Sequence, residues 1–174
     1  MAKIKADRQG DVVLIHSLRS IDSLLSKAKI KPEKRDSRGR LVLAEGEVTG
    51  HAHVIDAPKG AFLYRERGGN QFGATEELLL VVQETQVQRG QLIEGQVIQT
   101  MPGGSIRFRQ SDGTVLRFKP SDITIREGVG VVVNRAYTPV KHDEHDAIPL
   151  SKGVYNVRQQ ETMVSPTRRM RVAD

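Results

Sequence analysis

Ser105-Ile-Arg-Phe-Arg-Gln110, Ser111-Asp112-Gly113 and Thr114-Val-Leu-Arg-Phe-Lys119 form the stretch on which the fold class turns. Asp-Gly between two alternating runs signals a β-hairpin, because glycine takes the positive φ of a tight turn without a Cβ clash. Side chains in a strand repeat every two residues, so Ile106 and Phe108 share one face and Arg107 and Arg109 the other. Across the turn Leu116 and Phe118 oppose Val115, Arg117 and Lys119. The hairpin is therefore expected to be apolar on one side and basic on the other.

Outward from it, most of the chain consists of short apolar or alternating runs punctuated by Gly, Pro, Asn and Asp, the pattern of an antiparallel all-β protein. Strands are expected at 11–16, 40–45, 47–55, 61–65, 78–84, 92–99, 105–110, 114–119, 130–134 and 154–160. One helix is expected over 20–30, where Ile21, Leu24, Leu25 and Ala28 recur at helical spacing. The 174 residues are enough for one domain or for a small domain with an inserted module. There is no cysteine, which excludes disulfides. Residues 1–20 contain no signal-like apolar run and nothing later approaches a membrane span, so the expected setting is cytoplasmic, or a virion if the chain is phage-encoded, with no membrane partner.

The formal charge is +6, from 27 Lys+Arg against 21 Asp+Glu. Residues 1–40 hold 11 basic and 5 acidic residues, which accounts for the whole surplus, since the remainder balances at 16 and 16. The densest part, with Lys29, Lys31, Lys34 and Arg35, suits phosphate contacts, although a solvated loop has the same composition. Together with Arg107, Arg109, Arg117 and Lys119 on the hairpin, these residues are the candidates for binding single-stranded nucleic acid.

Around the hairpin, 89–104 and 118–123 have the look of the opening and closing of a small barrel. The stretch 87–127 resembles the S1-like and initiation-factor-like OB-folds in its Gly-x-Val strand and Gly-Gly turn. That resemblance implies an OB-like or SH3-like β module, although the few aromatics suit its own core better than a base-stacking surface.

A second resemblance rests on Arg8-Gln-Gly-Asp-Val-Val-Leu-Ile15, on Arg40-Leu-Val-Leu-Ala-Glu-Gly-Glu-Val-Thr-Gly-His-Ala-His-Val54, on His142-Asp-Glu-His-Asp-Ala-Ile-Pro-Leu-Ser-Lys-Gly-Val-Tyr-Asn-Val-Arg-Gln-Gln-Glu161, and on Arg171-Val-Ala-Asp174. These blocks resemble a family of small uncharacterised bacterial and phage proteins, in which Gly-His-x-His and His-x-x-His are the specific elements. The resemblance implies a histidine-bearing β domain of residues 1–65 and 129–174 that carries an inserted β module, residues 66–128.

Four of the five histidines fall in two tight pairs, His51 with His53 and His142 with His145. On an extended strand His51 and His53 would point the same way, and a single turn would bring His142 and His145 to one side. Imidazole is a common ligand for divalent transition metals, so a shared site is expected, with zinc foremost and with iron or manganese if Glu47 or Glu144 joins. Four rings would close the site, while three plus water would leave room for hydrolysis of a phosphoester. Unliganded polar histidines, or a pair acting as acid and base, remain alternatives. His16 reads as a strand-end residue. No phosphate-binding glycine loop, dinucleotide fingerprint or nucleophile elbow occurs. The function classes that follow are metal binding, nucleic-acid binding, and self-assembly into a larger particle such as a phage virion.

Overall fold

The computed structural model describes residues 5–26, 31–45, 51–57, 59–70, 73–159, 161–165 and 168–171. In chain order the strands are β1 (Ala6–Gln9), β2 (Val12–His16), β3 (Leu41–Glu45), β4 (Ala52–Ile55), β5 (Ala61–Asn70), β6 (Gly73–Val82), β7 (Leu92–Thr100) and β8 (Ile106–Gln110). They continue as β9 (Val115–Phe118), β10 (Ile123–Arg126), β11 (Gly130–Val133), β12 (Thr138–Val140), β13 (Ile148–Leu150), β14 (Gly153–Gln159), β15 (Glu161–Ser165) and β16 (Arg168–Arg171). One helix, α1 (Ile21–Ser26), follows β2, and a single 3-10 turn lies at Pro120–Asp122. The protein is mainly antiparallel β. Two five-stranded sheets, ordered β1-β2-β14-β6-β5 and β10-β11-β7-β8-β9, are accompanied by the two-stranded ribbons β3-β4, β12-β13 and β15-β16.

In the first sheet β6 is a central strand covered on both faces, which explains its unbroken apolar run Leu78-Leu-Leu-Val-Val82. Leu80 and Val82 enter a core shared with Leu14 of β2, Leu41 and Ile55 of the β3-β4 ribbon, and Val140 and Leu150 of the β12-β13 ribbon. Leu79 and Val81 point the other way, towards Leu24 of α1, Tyr64 and Val154. The short helix is thus the lid over that second face. Ser20 starts it, its Oγ accepting from the Ser23 amide at 3.0 Å. It is described over Ile21–Ser26, where Ile21 and Leu24 cover one patch, and the rest of the expected span, 27–30, lies outside the described residues.

The second sheet has its own core of Ile93, Ile106, Phe108, Leu116, Phe118, Ile123, Val131, Val133 and Tyr137. The hairpin read from sequence is its β8-β9 arm. Arg107 faces Arg117 and Phe108 faces Leu116 in register, and the Thr114 amide donates to Asp112 Oδ1 at 2.8 Å to close the turn. Gly95 on β7 has φ +152°, and a Cβ there would lie 2.1 Å from the Arg109 carbonyl oxygen and 2.7 Å from the Phe108 ring. No other residue fits between β7 and β8 at that point without moving the backbone. Among the described residues no ladder joins β9 to β10, so the sheet does not close, and the OB-like or SH3-like barrel expected here is not confirmed.

The sheets also redraw the expected division at 65/66 and 128/129. Residues 61–82 form β5 and β6, both in the first sheet, and β6 lies between β5 and β14. The segment that builds a separate sheet is 92–133, so replacing 66–128 with a linker would remove a central strand of the histidine-bearing part. The division fails because the resemblance between blocks carried no information about which strands pair. Six further strands within the described residues were not expected, among them β15 and β16, which pair with each other. β1 is polar, β10 is exposed beyond Ile123, and β12 and β13 each carry a proline, Pro139 and Pro149, set opposite one another.

The two sheets meet along a seam. Ala147 bridges Leu116 in parallel, accepting from the Arg117 amide at 2.9 Å and donating to the Val115 carbonyl at 2.8 Å. This covers the free edge of β9. Arg107 grips Asp146 with Nε and Nη2 at 2.6 and 2.8 Å, and Lys119 reaches Asp7 on β1 at 2.9 Å.

Candidate functional site

The structure brings all four paired histidines together where the end of β1, β4 and the 141–147 loop converge. Ring centroids are 4.2 Å apart for His53 and His142, 4.6 Å for His142 and His145, 6.0 Å for His51 and His142, and 6.2 Å for His53 and His145. The reason is local. The Val54 amide and carbonyl exchange hydrogen bonds with those of Lys141 at 2.9 and 2.8 Å, which fixes the loop beside β4. β4 starts at Ala52, so His51 lies just before the strand and does not follow its alternation. His51 Nδ1 stands 3.1 Å from Glu144 Oε1, out of line for a hydrogen bond.

His53 is the centre of a buried polar hub. It is 2% exposed, with Gln9 at 0% and Asp11 at 3%. Gln9 Nε2 donates to the carbonyls of Val140 (3.0 Å) and Asp146 (2.9 Å), so the amide cannot be turned over without setting oxygen against two oxygens. Its Oε1 is therefore the atom 3.0 Å from His53 Nδ1 and can only accept. On the other side Asp11 Oδ1, also an acceptor, is 2.9 Å from His53 Nε2. Both ring nitrogens are thereby engaged in hydrogen bonds with buried side-chain oxygens. Gln159 Nε2 donates to Asp11 Oδ2 at 2.7 Å and anchors that carboxylate from β14. The hub ties β1, β2, β4, β14 and the 141–147 loop into one unit.

This bookkeeping bears directly on the expected metal site of His51, His53, His142 and His145. A ligating nitrogen must offer a lone pair, and in this conformation His53 offers none. His142 Nδ1 accepts from the Glu144 amide at 3.1 Å, so its proton is on Nε2. Among the described residues no group of three or more His, Asp or Glu side chains is arranged to hold a metal ion. A cleft of about 450 Å³ opens beside the cluster, lined by Lys141, His142, Glu144, His145 and Thr114.

The basic candidates are dispersed. Lys29 lies outside the described residues. Lys31 and Lys34 are exposed, while Arg35 donates to the carbonyls of Gly39 and Ala61 at 3.0 and 2.8 Å and serves the fold. Arg107 is neutralised by Asp146 and Lys119 by Asp7. Arg109 is exposed, and Arg117 makes no side-chain hydrogen bond or ion pair among the described residues. Arg117 and Lys119 line a cleft of about 130 Å³ at the seam, together with Arg8, His16 and Arg135. Burial works to raise the Asp7 carboxyl, but hydrogen bonds from Lys119 and His16 outweigh it and hold the group below the usual carboxylate range. Sequence reasoning missed Gln9, Asp11, Gln159, Arg8 and Arg135 as site residues. The only local hint was the polar pair Gln9 and Asp11 flanking Gly10 just ahead of the apolar run Val12–Ile15.

No helix among the described residues is long and apolar enough to cross a membrane. No curated protein and no solved structure matches the chain. A family match covers residues 8–110, which takes in Gln9, Asp11, His51 and His53 and ends with β8, before His142 and His145. That span is 103 of the 174 residues, and the chain belongs to the family described as a domain of unknown function, DUF8820.

Proposed function

We propose that this protein binds a phosphate-bearing polyanion, with single-stranded nucleic acid as the matching form, along the outer face of the β8-β9 hairpin. The observation that carries the reading is the asymmetry of two facing arginines. Arg107 is held bidentately by Asp146, whereas Arg117, directly opposite, has no carboxylate partner among the described residues. With exposed Arg109 on the same hairpin, positive charge faces solvent with no carboxylate on it among the described residues. Phe108 and Phe118 are buried in the core, so contact falls on phosphates and not on stacked bases. Binding of that kind is insensitive to sequence and sensitive to salt. Fluorescence anisotropy with a labelled oligothymidylate should show affinity falling as salt rises, with a log–log slope of about 0.7 per phosphate contacted. The double variant Arg109→Glu/Arg117→Glu should lose binding and keep its circular dichroism spectrum. Absence of binding at low salt, or binding that survives both reversals, would reject the hairpin face.

A divalent transition metal, zinc first, is the second reading, and the adjacency of the four rings favours it. It draws on His51, His142, His145 and Glu144, because His53 is committed to Gln9 and Asp11. Binding requires His142 to give up the Glu144 amide, so affinity below that of a preformed site is expected. Untagged protein equilibrated with zinc and analysed for bound metal should hold one ion per chain, lost in His145→Ala. No bound zinc in the unaltered protein would end this reading.

A further inference from the structure

We infer that the protein forms a two-fold symmetric dimer by pairing the open edge strand β10 with the same strand of a second copy, so that the second sheets of the two copies continue as one. This edge is the opposite end of the sheet from the β8-β9 hairpin and uses none of its cations.

The two five-stranded sheets end in β1, β5, β9 and β10, and the first three of these edges are covered or blunted. Pro32 bridges Tyr64 of β5, and the Glu33 amide donates to the Leu63 carbonyl at 2.7 Å. Ala147 covers β9. β1 is polar, and its Asp7 is taken by Lys119 across the seam at 2.9 Å. β10 instead presents Ile123-Thr124-Ile125, a β-branched run with no strand or bridge on its outer side among the described residues. Such an edge is a template for another strand, which is why sheets commonly blunt it with charge, proline or a cover. Ile125 is 46% exposed there, and Val129 in the turn that follows is 50% exposed.

The Asn134 amide donates to the Asp122 carbonyl at 2.9 Å and the Val129 amide to the Arg126 carbonyl at 3.1 Å, so the even-numbered positions turn their backbone groups towards β11. Antiparallel strands alternate, which leaves the Ile125 amide and the Ile123 carbonyl pointing out of the sheet. The order of side chains selects the occupant. Asp122-Ile123-Thr124-Ile125-Arg126 reads acid, Ile, Thr, Ile, base, and in reverse it reads base, Ile, Thr, Ile, acid. An antiparallel copy centred on Thr124 therefore sets Arg126 opposite Asp122, Ile125 opposite Ile123 and Thr124 opposite itself. In that register each Ile125 amide donates to the Ile123 carbonyl of the other copy. Both charges are available for it. The Arg126 side chain has no hydrogen bond or ion pair among the described residues, and the Asp122 carboxylate has only long contacts at Oδ1, 3.5 Å from Ser121 Oγ and 3.9 Å from Arg135 Nη1. Centring on Ile125 instead would set Arg126 opposite Thr124, so charge complementarity fixes the register.

Sedimentation velocity on the full chain from about 1 to about 200 μM covers the affinities expected of an interface smaller than the standard size. The sedimentation coefficient should rise from that of a monomer to that of a dimer across the series. Ile125→Lys places like charges on the shared edge and should leave a monomer throughout. Arg126→Glu faces Asp122 of the other copy and should weaken the dimer about tenfold, whereas Arg126→Lys should retain it. Hydrogen exchange on the unaltered protein gives a reading that depends on no variant: the Ile125 amide should gain protection at the high concentration and lose it on dilution. A protein that stays monomeric at every concentration overturns the pairing and leaves the edge to a strand of another protein. A dimer that withstands both Ile125→Lys and Arg126→Glu, or that forms without protecting the Ile125 amide, places the interface elsewhere and overturns it as well.

Discussion

Asp11→Ala is expected to lower the free energy of unfolding by about 3–5 kcal/mol, the cost of leaving a buried charge without its partner. His53 stays buried with both ring nitrogens engaged by side-chain oxygens, and the variant removes the partner of one of them. It also strands the Gln159 amide, whose 2.7 Å bond to Asp11 Oδ2 holds β14 against β2. Asp11→Asn separates charge from hydrogen bonding, because its amide oxygen still accepts from His53 Nε2 while the compensating charge is gone. An intermediate loss of about 1–3 kcal/mol is expected for it. Urea denaturation followed by circular dichroism measures both. A loss below about 1 kcal/mol for Asp11→Ala would mean that the hub is not a paired buried charge, since such a value is typical of an exposed ion pair.

Phe108→Ala should cost a comparable amount, about 3–5 kcal/mol, through lost burial and the cavity left behind. The ring is 0% exposed, lies 6.3 Å from Phe118, and touches the position where Gly95 admits it. Phe118 in turn meets Tyr137 edge-on at 5.5 Å, so the vacancy opens at the centre of the second core and not at its rim. Hydrogen exchange locates the damage. Amides of β7, β8 and β9 should lose protection before those of β6 and β14, because the two cores share no buried side chain and are linked through the seam contacts of Arg107, Lys119 and Ala147. Uniform loss of protection over both sheets would show instead that the seam makes one cooperative unit of them.

Strand character, the hairpin and its two faces were legible because they depend on neighbours in sequence. The period of two across 105–119 and the Asp-Gly turn act over a few residues, and Ile106, Phe108, Leu116 and Phe118 are all buried. The apolar run Leu78–Val82 was equally clear as a strand. Its place inside the first sheet, between β14 and β5, was not, since nothing local records that β14, some seventy residues later, pairs with it from Gly153↔Val82 to Val157↔Leu78. β12 and β13 were hidden by their prolines, which local propensity reads as interruptions and which a two-stranded ribbon tolerates.

The site divides in the same way. By itself the sequence determined that this is a mainly β chain with four histidines in two pairs and a basic hairpin face, because composition and side-chain period are properties of adjacent residues. Which nitrogen faces which oxygen was decided only by the tertiary structure. Gln9 and Asp11 reach His53 across 44 and 42 residues and Gln159 reaches Asp11 across 148, distances over which no spacing rule applies. Those contacts engage both ring nitrogens of His53 and so turn a candidate ligand into the centre of a buried polar hub. The seam likewise leaves Arg117 without a carboxylate partner among the described residues while Arg107 takes Asp146, although the two arginines look alike in the sequence. Protonation state and pairing depend on what stands opposite a group in space, and that is set by the packing of the two sheets.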